Sequence, residues 1–317
     1  MIKVLANDGL GKAGIEMLEK ENFEVITTKV AQEQLANYIN QNNIQVLLVR
    51  SATKVPKKLI DACPHIKLIG RAGVGMDNID VAYAKSKGIH VINTPAASSA
   101  SVAELVFAHL FNGVRFLHDS NRNMPLEGDS KFKQLKKSYA NGTELRGKTL
   151  GIIGFGRIGQ ATAKMALGLG MKVIYNDHHA DIVPLEISFY DGQRVKFNLT
   201  NHDFDTVLKK SDFLSLHVPS QNGYVIGKKE LEKMKTGAGI INASRGGVVD
   251  EVALLDALEN DKIAFAGLDV FESEPNPEIK ILMHPKITLS PHIGASTQEA
   301  QERISMEMAS QIIDLVT

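Results

Sequence analysis

The stretch TLGIIGFGRIG, Thr149 to Gly159, decides the fold. TLGII has the length and apolar character of a buried strand, and Gly154-Phe155-Gly156-Arg157-Ile158-Gly159 fits G-x-G-x-x-G. The spacing alone is weak; its flanks make it specific. A helical pattern, GQATAKMALGLG, follows, and a second strand, KVIYN, leads into Asp177. The separation 177 − 159 = 18 lies near the ~20 residues at which a strand-end acid reaches a ribose. Gly154 permits the tight turn, Gly156 lets backbone approach a pyrophosphate, and Gly159 lets helix and strand pack closely. The diphosphate would rest on the first turn of the helix, at Arg157 and Ile158, where free N–H groups and the dipole favour an anion. Asp177 would accept hydrogen bonds from the ribose hydroxyls and repel a 2′-phosphate, so NAD is expected rather than NADP. His178 and His179, which follow it, read as solvated surface residues.

Outward from this unit the same alternation continues. IKVLA, FEVITT, IQVLLV, IKLIG and HVINTP read as strands before it, with helical segments such as 12–20 and 32–40 between them. KVIYND, DFLSLHVP, GAGIINAS, AFAGLDVF and ITLSPH read as strands after the glycine motif. Repeated βα units imply parallel sheets, and two series imply two α/β domains. The helical pattern ASVAELVFAHLFNGVRFLH separates them; its apolar surface predicts a homodimer interface. The Lys-rich stretch 125–148 reads as linker or surface. In ISFYDGQRVKF, 187–197, Asp191-Gly192 between alternating apolar residues predicts a hairpin with a type I′ turn. A last helix, about 297–316, follows with no strand of its own and must pack on a sheet already built. The domains are therefore expected to be discontinuous: 1–97 plus 291–317, and 98–290.

The bulk properties exclude several classes. Lys+Arg and Asp+Glu are equal at 36 in 317 residues, so no global field draws nucleic acid or an anionic membrane. No apolar run is long enough to span a bilayer, and MIKVLANDGL enters a strand directly rather than a signal peptide. The single cysteine, Cys63, reads as a small buried hydrophobe and fits a reducing cytoplasm. No metal site is expected.

Three strand ends of the second series carry charged groups. Arg245 follows IINAS, Glu274 follows AFAGLDVF, and His292 follows ITLSP. An arginine holds a carboxylate bidentately, a histidine exchanges protons near neutral pH, and a carboxylate beside it orients the ring and stabilises its cation. With a nicotinamide, these groups suit the interconversion of a 2-hydroxy acid and a 2-oxo acid.

At this point the chain resembles the D-isomer-specific 2-hydroxyacid dehydrogenases over nearly its whole length. The resemblance rests on RAGVGMDNID, NTP…SVAELV, GKTLGIIGFGRIG, LHVP, NASRGGVVDE, GLDVFESEP and SPHIGAST, in that order. VRSATK, GRAGVGMDNID, GTELRGKTLG and PHIGAST are most similar to the 3-phosphoglycerate dehydrogenases, here a short form without the ACT regulatory domain of longer relatives. The resemblance implies two doubly wound parallel-sheet domains, a flavodoxin-like substrate domain and a Rossmann NAD domain. It implies Arg245, Glu274 and His292 as the catalytic residues. It adds His217, Pro219, Ala243, Ser244, Asp269 and Gly294 to the NAD contacts, with Asp269 near the nicotinamide amide and Glu272 only solvated. It implies Arg50, Ser51, Arg71, Val74, Gly75 and Asn78 as substrate contacts, with Arg50 on the phosphate and the 72–75 backbone on the carboxylate. Two other readings follow from the same resemblance: a glyoxylate/hydroxypyruvate reductase, which has no use for Arg50, and an NAD-sensing corepressor-like binding protein.

Overall fold

The computed structural model describes residues 1–178 and 181–316. His179, expected as a surface residue, lies outside the described residues.

The elements run β1 (Ile2–Ala6), α1 (Lys12–Lys20), β2 (Phe23–Ile26), α2 (Leu35–Gln41), β3 (Val46–Val49), α3 (Lys57–Ala62), β4 (Leu68–Arg71), α4 (Val81–Ser86) and β5 (His90–Asn93). They continue with α5 (Ser99–Val114), α6 (Leu117–Glu127), α7 (Phe132–Ser138), β6 (Thr149–Ile153), α8 (Arg157–Gly168), β7 (Lys172–Asn176), β8 (Ile182–Ser188) and β9 (Arg194–Thr200). The chain closes with α9 (Phe204–Lys210), β10 (Phe213–Leu216), α10 (Lys228–Lys233), β11 (Ala238–Asn242), α11 (Glu251–Glu259), β12 (Ile263–Leu268), α12 (Ile279–Met283), β13 (Ile287–Leu289) and α13 (Gln298–Val316). The chain divides into two compact units, Met1–Ser99 with Ala295–Thr317, and Ala100–Gly294.

The first unit holds a five-stranded parallel sheet in the order β2-β1-β3-β4-β5, the flavodoxin-like arrangement. Its strands are covered on both faces, which is why they read as short continuous apolar runs. Leu5, Leu47 and Ile69 pack under α2 and α3, while Val4, Leu48 and Leu68 meet Met308, Ala309 and Ile312 of α13 on the other side. α13 packs against α1 as well; a Cβ added at Gly14 would lie 2.5 Å from the Ser305 carbonyl oxygen, so the two backbones nearly touch.

The second unit holds a six-stranded parallel sheet, β13-β12-β11-β10-β6-β7. The order reverses between β6 and β10, and at such a switch point an α/β sheet opens a crevice outside the carboxyl ends of its strands. Beyond β7 the sheet continues, among the described residues, as one parallel bridge, Tyr175 to Asn201. The chain between them forms the antiparallel pair β8–β9.

Two local expectations change. The hairpin forms, but its turn is not type I′: Gly192 alone has positive φ (87°), and its N–H bonds the Phe189 carbonyl. Tyr190-Asp191-Gly192 is therefore a three-residue loop with glycine in the left-handed position. Within 125–148, the stretch expected as linker, the structure forms α7, anchored by buried Leu135, with Leu145 buried beyond it. Among the described residues, no single helix is long and apolar enough to cross a membrane.

Candidate active site

In the second unit every residue expected to touch cofactor or to do chemistry lies at the carboxyl end of a strand of one parallel sheet. Gly154 to Gly159 follow β6, Asp177 follows β7, and His217 and Pro219 follow β10. Ala243, Ser244 and Arg245 follow β11, Asp269 and Glu274 follow β12, and His292 and Gly294 follow β13.

The glycine loop has the geometry its sequence asks for. Gly154 takes φ 88°, and a Cβ there would stand 2.5 Å from the His217 carbonyl oxygen. A Cβ on Gly159 would stand 2.2 Å from the Gly154 carbonyl oxygen. Gly156, in contrast, opens onto free space: nothing lies within 4 Å of where its Cβ would be. It is the N-cap of α8, and no side chain caps that end. The helix therefore offers unsatisfied N–H groups beside an open backbone, the arrangement that takes a phosphate. The Asp177 carboxylate accepts a hydrogen bond from the Phe155 N–H, which sets the acid against the loop. Beneath, Phe155 stacks on fully buried Tyr175 at 3.8 Å between ring centres. These residues fit NAD.

His217 is half-buried, with Nε2 2.9 Å from the Ser215 hydroxyl and Nδ1 buried without a hydrogen-bond partner. Burial pushes its pKa down to about 3, so the ring is neutral at physiological pH. The turn carrying Ala243, Ser244 and Arg245 is built by Asn242. Its side-chain oxygen accepts from the Ser244 N–H (3.1 Å) and hydroxyl (2.8 Å), and its NH₂ donates to the Arg245 carbonyl (2.9 Å).

The three acids of GLDVFESEP separate by surroundings. Glu274 reaches His292, with Oε2 2.8 Å from Nδ1, and its other oxygen accepts from the Phe271 N–H. Asp269 is 1% exposed. Its Oδ1 accepts from the Ser290 hydroxyl (2.6 Å) and the Ile293 N–H (2.8 Å), and its Oδ2 from the Gly294 N–H (2.9 Å). Its carbonyl accepts from the His292 N–H (2.8 Å). This one residue clamps the whole loop that presents His292. The clamp matters because His292 has φ 56°, a left-handed conformation costing a non-glycine residue about 1–2 kcal/mol. Glu272 is exposed but does more than face water. It accepts from the Glu251 N–H (2.9 Å) and the Tyr224 hydroxyl, while Glu251 accepts from the Glu272 N–H (2.8 Å). This exchange joins residues 21 positions apart, and no local pattern in the sequence marks it.

In the first unit the expected substrate contacts also collect at strand ends. Arg50 and Ser51 follow β3, Arg71 ends β4, and Val74, Gly75 and Asn78 lie in the loop after it. Asp8, after β1, accepts from the Arg50 N–H (2.7 Å) and from the N–H and hydroxyl of Thr53. The Asn78 NH₂ donates to the Arg50 and Thr53 carbonyls (2.7 and 2.6 Å), so it braces this loop. The Val74 carbonyl accepts from Asn93 (2.6 Å). The Arg50 guanidinium has no hydrogen-bond or ion-pair partner among the described residues.

Comparison with known proteins follows the same lines. Residues 107–294 match the D-isomer specific 2-hydroxyacid dehydrogenase NAD binding domain. A hydroxypyruvate reductase from Thermotoga maritima is 42% identical over 98% of this chain and 97% of its own length. A D-3-phosphoglycerate dehydrogenase from Methanocaldococcus jannaschii is 40% identical over 98% of this chain, which spans only 57% of that relative. A solved structure from Thermus thermophilus superposes with TM-score 0.84 at 27% identity, covering 100% of this chain and 97% of that one. With its NAD-binding sheet, its strand-end residues and these relatives in agreement, the chain belongs to the D-isomer-specific 2-hydroxyacid dehydrogenases.

Proposed function

We propose that the chain interconverts D-3-phosphoglycerate and 3-phosphohydroxypyruvate, with the second unit binding NAD and the first binding substrate. The observation that carries the chemistry is the Glu274–His292 pair, 2.8 Å apart, with Arg245 on the turn after the neighbouring strand. Because Glu274 engages Nδ1, Nε2 is the ring nitrogen left for the substrate oxygen. In oxidation Nε2 takes the 2-hydroxyl proton as the C2–H bond breaks and the carbonyl forms; reduction runs in reverse. Bound NAD supplies the hydride acceptor, and NADH the donor. Arg245 holds the carboxylate and polarises the 2-oxo group. General acid–base help of this kind contributes ~10²–10⁴-fold.

The phosphate reading rests on Arg50. Its backbone is fixed by Asp8 and Asn78, yet its guanidinium has no internal partner among the described residues, so it is available to a dianion. The second reading, a hydroxypyruvate reductase, is favoured by the Thermotoga maritima relative, which this chain matches over almost its full length. NADH-linked reduction of 3-phosphohydroxypyruvate, hydroxypyruvate and glyoxylate by wild type and Arg50→Ala separates the two. A charge-assisted hydrogen bond contributes ~1.5–3 kcal/mol, so the variant should lose about one to two orders of magnitude in kcat/KM on the phosphorylated substrate alone. Equal losses on all three substrates make Arg50 structural and move the hydroxypyruvate reading ahead. Cys63, fully buried and pushed up to about 11 by burial, suits a chain working in the reducing cytoplasm.

A further inference from the structure

The mechanism above leaves one buried titratable group unused. His109 lies in α5 among apolar neighbours and is 4% exposed. A buried imidazole is costly unless both nitrogens are satisfied. Here Nδ1 lies 2.6 Å from the Thr288 hydroxyl and Nε2 2.9 Å from the Ser290 hydroxyl. Thr288 is 1% and Ser290 9% exposed, so all three groups depend on one another rather than on water.

One proton arrangement satisfies the row. The single Ser290 hydroxyl proton is given to Asp269 Oδ1 at 2.6 Å. The serine oxygen must then accept, so His109 carries its proton on Nε2, and Nδ1 accepts from Thr288. This is a neutral imidazole, and burial, which lowers its pKa, favours that form. Asp269 spends its remaining acceptor capacity on the Ile293 and Gly294 N–H groups, and its carbonyl on the His292 N–H. The row therefore runs without a break from the core of α5 to the loop that holds His292 in its left-handed backbone. β12 is shaped to admit it: a Cβ on Gly267 would stand 2.7 Å from the His109 Cβ.

We propose that His109 is a positioning residue for His292, acting through Ser290 and Asp269 to fix the loop that presents the acid–base ring. The proposal rests on the reading of His292 as the acid–base group. Replacing the imidazole with an apolar side chain leaves the Thr288 hydroxyl without an acceptor and frees Ser290 to rotate, which loosens the Asp269 clamp. A misplacement of about 1 Å at a reacting group costs ~10²-fold in rate.

The test uses His109→Leu, His109→Gln, Ser290→Ala and the double variant His109→Leu/Ser290→Ala, assayed with NADH and hydroxypyruvate. Each variant is also followed by NADH fluorescence titration and by the His292 ring resonances in histidine-labelled protein. His109→Leu should lower kcat by about 10- to 100-fold and move the His292 resonances, with the NADH Kd within about twofold. His109→Gln, whose amide N–H replaces Nε2–H toward Ser290, should recover most of the loss. The double variant should be no slower than Ser290→Ala, because both changes cut the same row. Additive losses, an unmoved His292 resonance in His109→Leu, or a glutamine variant as slow as the leucine variant would each overturn the proposal. Where His109→Leu does not fold, glutamine rescue is replaced by Ser290→Ala alone, whose unmoved resonance and unchanged kcat overturn it equally. His292→Asn in the same assay tests the underlying reading separately: full turnover there removes the acid–base role, while the resonance shifts still report whether His109 positions the ring.

Discussion

At the scale of single residues, the sequence names the chemistry better than the support beneath it. Glu274 and His292 are legible because a motif carries each, and the structure joins them at 2.8 Å. Asp269 is visible as an acid, but its clamp is not, since three of its four donors are backbone N–H groups whose position depends on the fold. The same holds for Glu251 and Glu272, which exchange backbone hydrogen bonds across 21 residues. Glu251 is 7% exposed, and burial raises its carboxyl pKa, with repulsion from Glu272, Glu278 and Glu274 adding to the shift. The sign follows from linkage. A carboxyl with a raised folded pKa holds its proton more tightly when folded, so stability is greatest at low pH and is lost as pH rises through that pKa. Glu251→Gln keeps an oxygen for the Glu272 N–H and removes the charge. Its Tm should match wild type below the ordinary carboxyl range and exceed it increasingly as pH rises toward neutrality, as thermal melts across pH would show. A difference that does not change with pH would show that Glu251 is not strained by its charge.

At the scale of elements, periodicity gives the helices and strands, while burial decides what each is for. α5 reads as surplus apolar surface, yet Val102, Val106, Phe107 and Leu110 are buried within the second unit's own core. Exposed apolar side chains stand at Phe111 on α5 and continue on the segment after it: Leu117, Met124 and Leu126 on α6 and Phe132 on α7. We propose that the homodimer contact expected on α5 extends from Phe111 onto α6 and α7, partly within the stretch 125–148 that reads as linker or surface. Its lysines hide the few apolar anchors from a sequence average. Light scattering at micromolar concentration should give twice the chain mass, and Leu126→Asp with Phe132→Asp should halve it. A wild type that is already monomeric would defeat the assignment. The hairpin shows a similar limit: Asp191-Gly192 marks the turn, but loop length, and with it turn type, is set by where Phe189 and Gln193 pair.

At the scale of the whole molecule, βα alternation fixes parallel sheets, and TLGIIGFGRIG fixes which of them takes a dinucleotide. Strand order is not written in any one segment. The order β13-β12-β11-β10-β6-β7 follows from right-handed crossovers laid first to one side of β6 and then to the other, a property of the packed sheet. That order is what gathers Gly156, Arg245, Glu274 and His292 along one edge from segments up to 136 residues apart, 292 − 156 = 136. On the proposed function, this edge moves a hydride between NAD and C2 of a 2-hydroxy acid while His292 moves the proton. Transfer of deuterium from labelled NADH to C2 of the product, followed by mass spectrometry in wild type and His292→Asn, tests it most directly. The wild type should place the label at C2, and His292→Asn should do so at least about 10²-fold more slowly with unchanged NADH affinity. Product without label at C2, or a His292→Asn variant as fast as wild type, would contradict it.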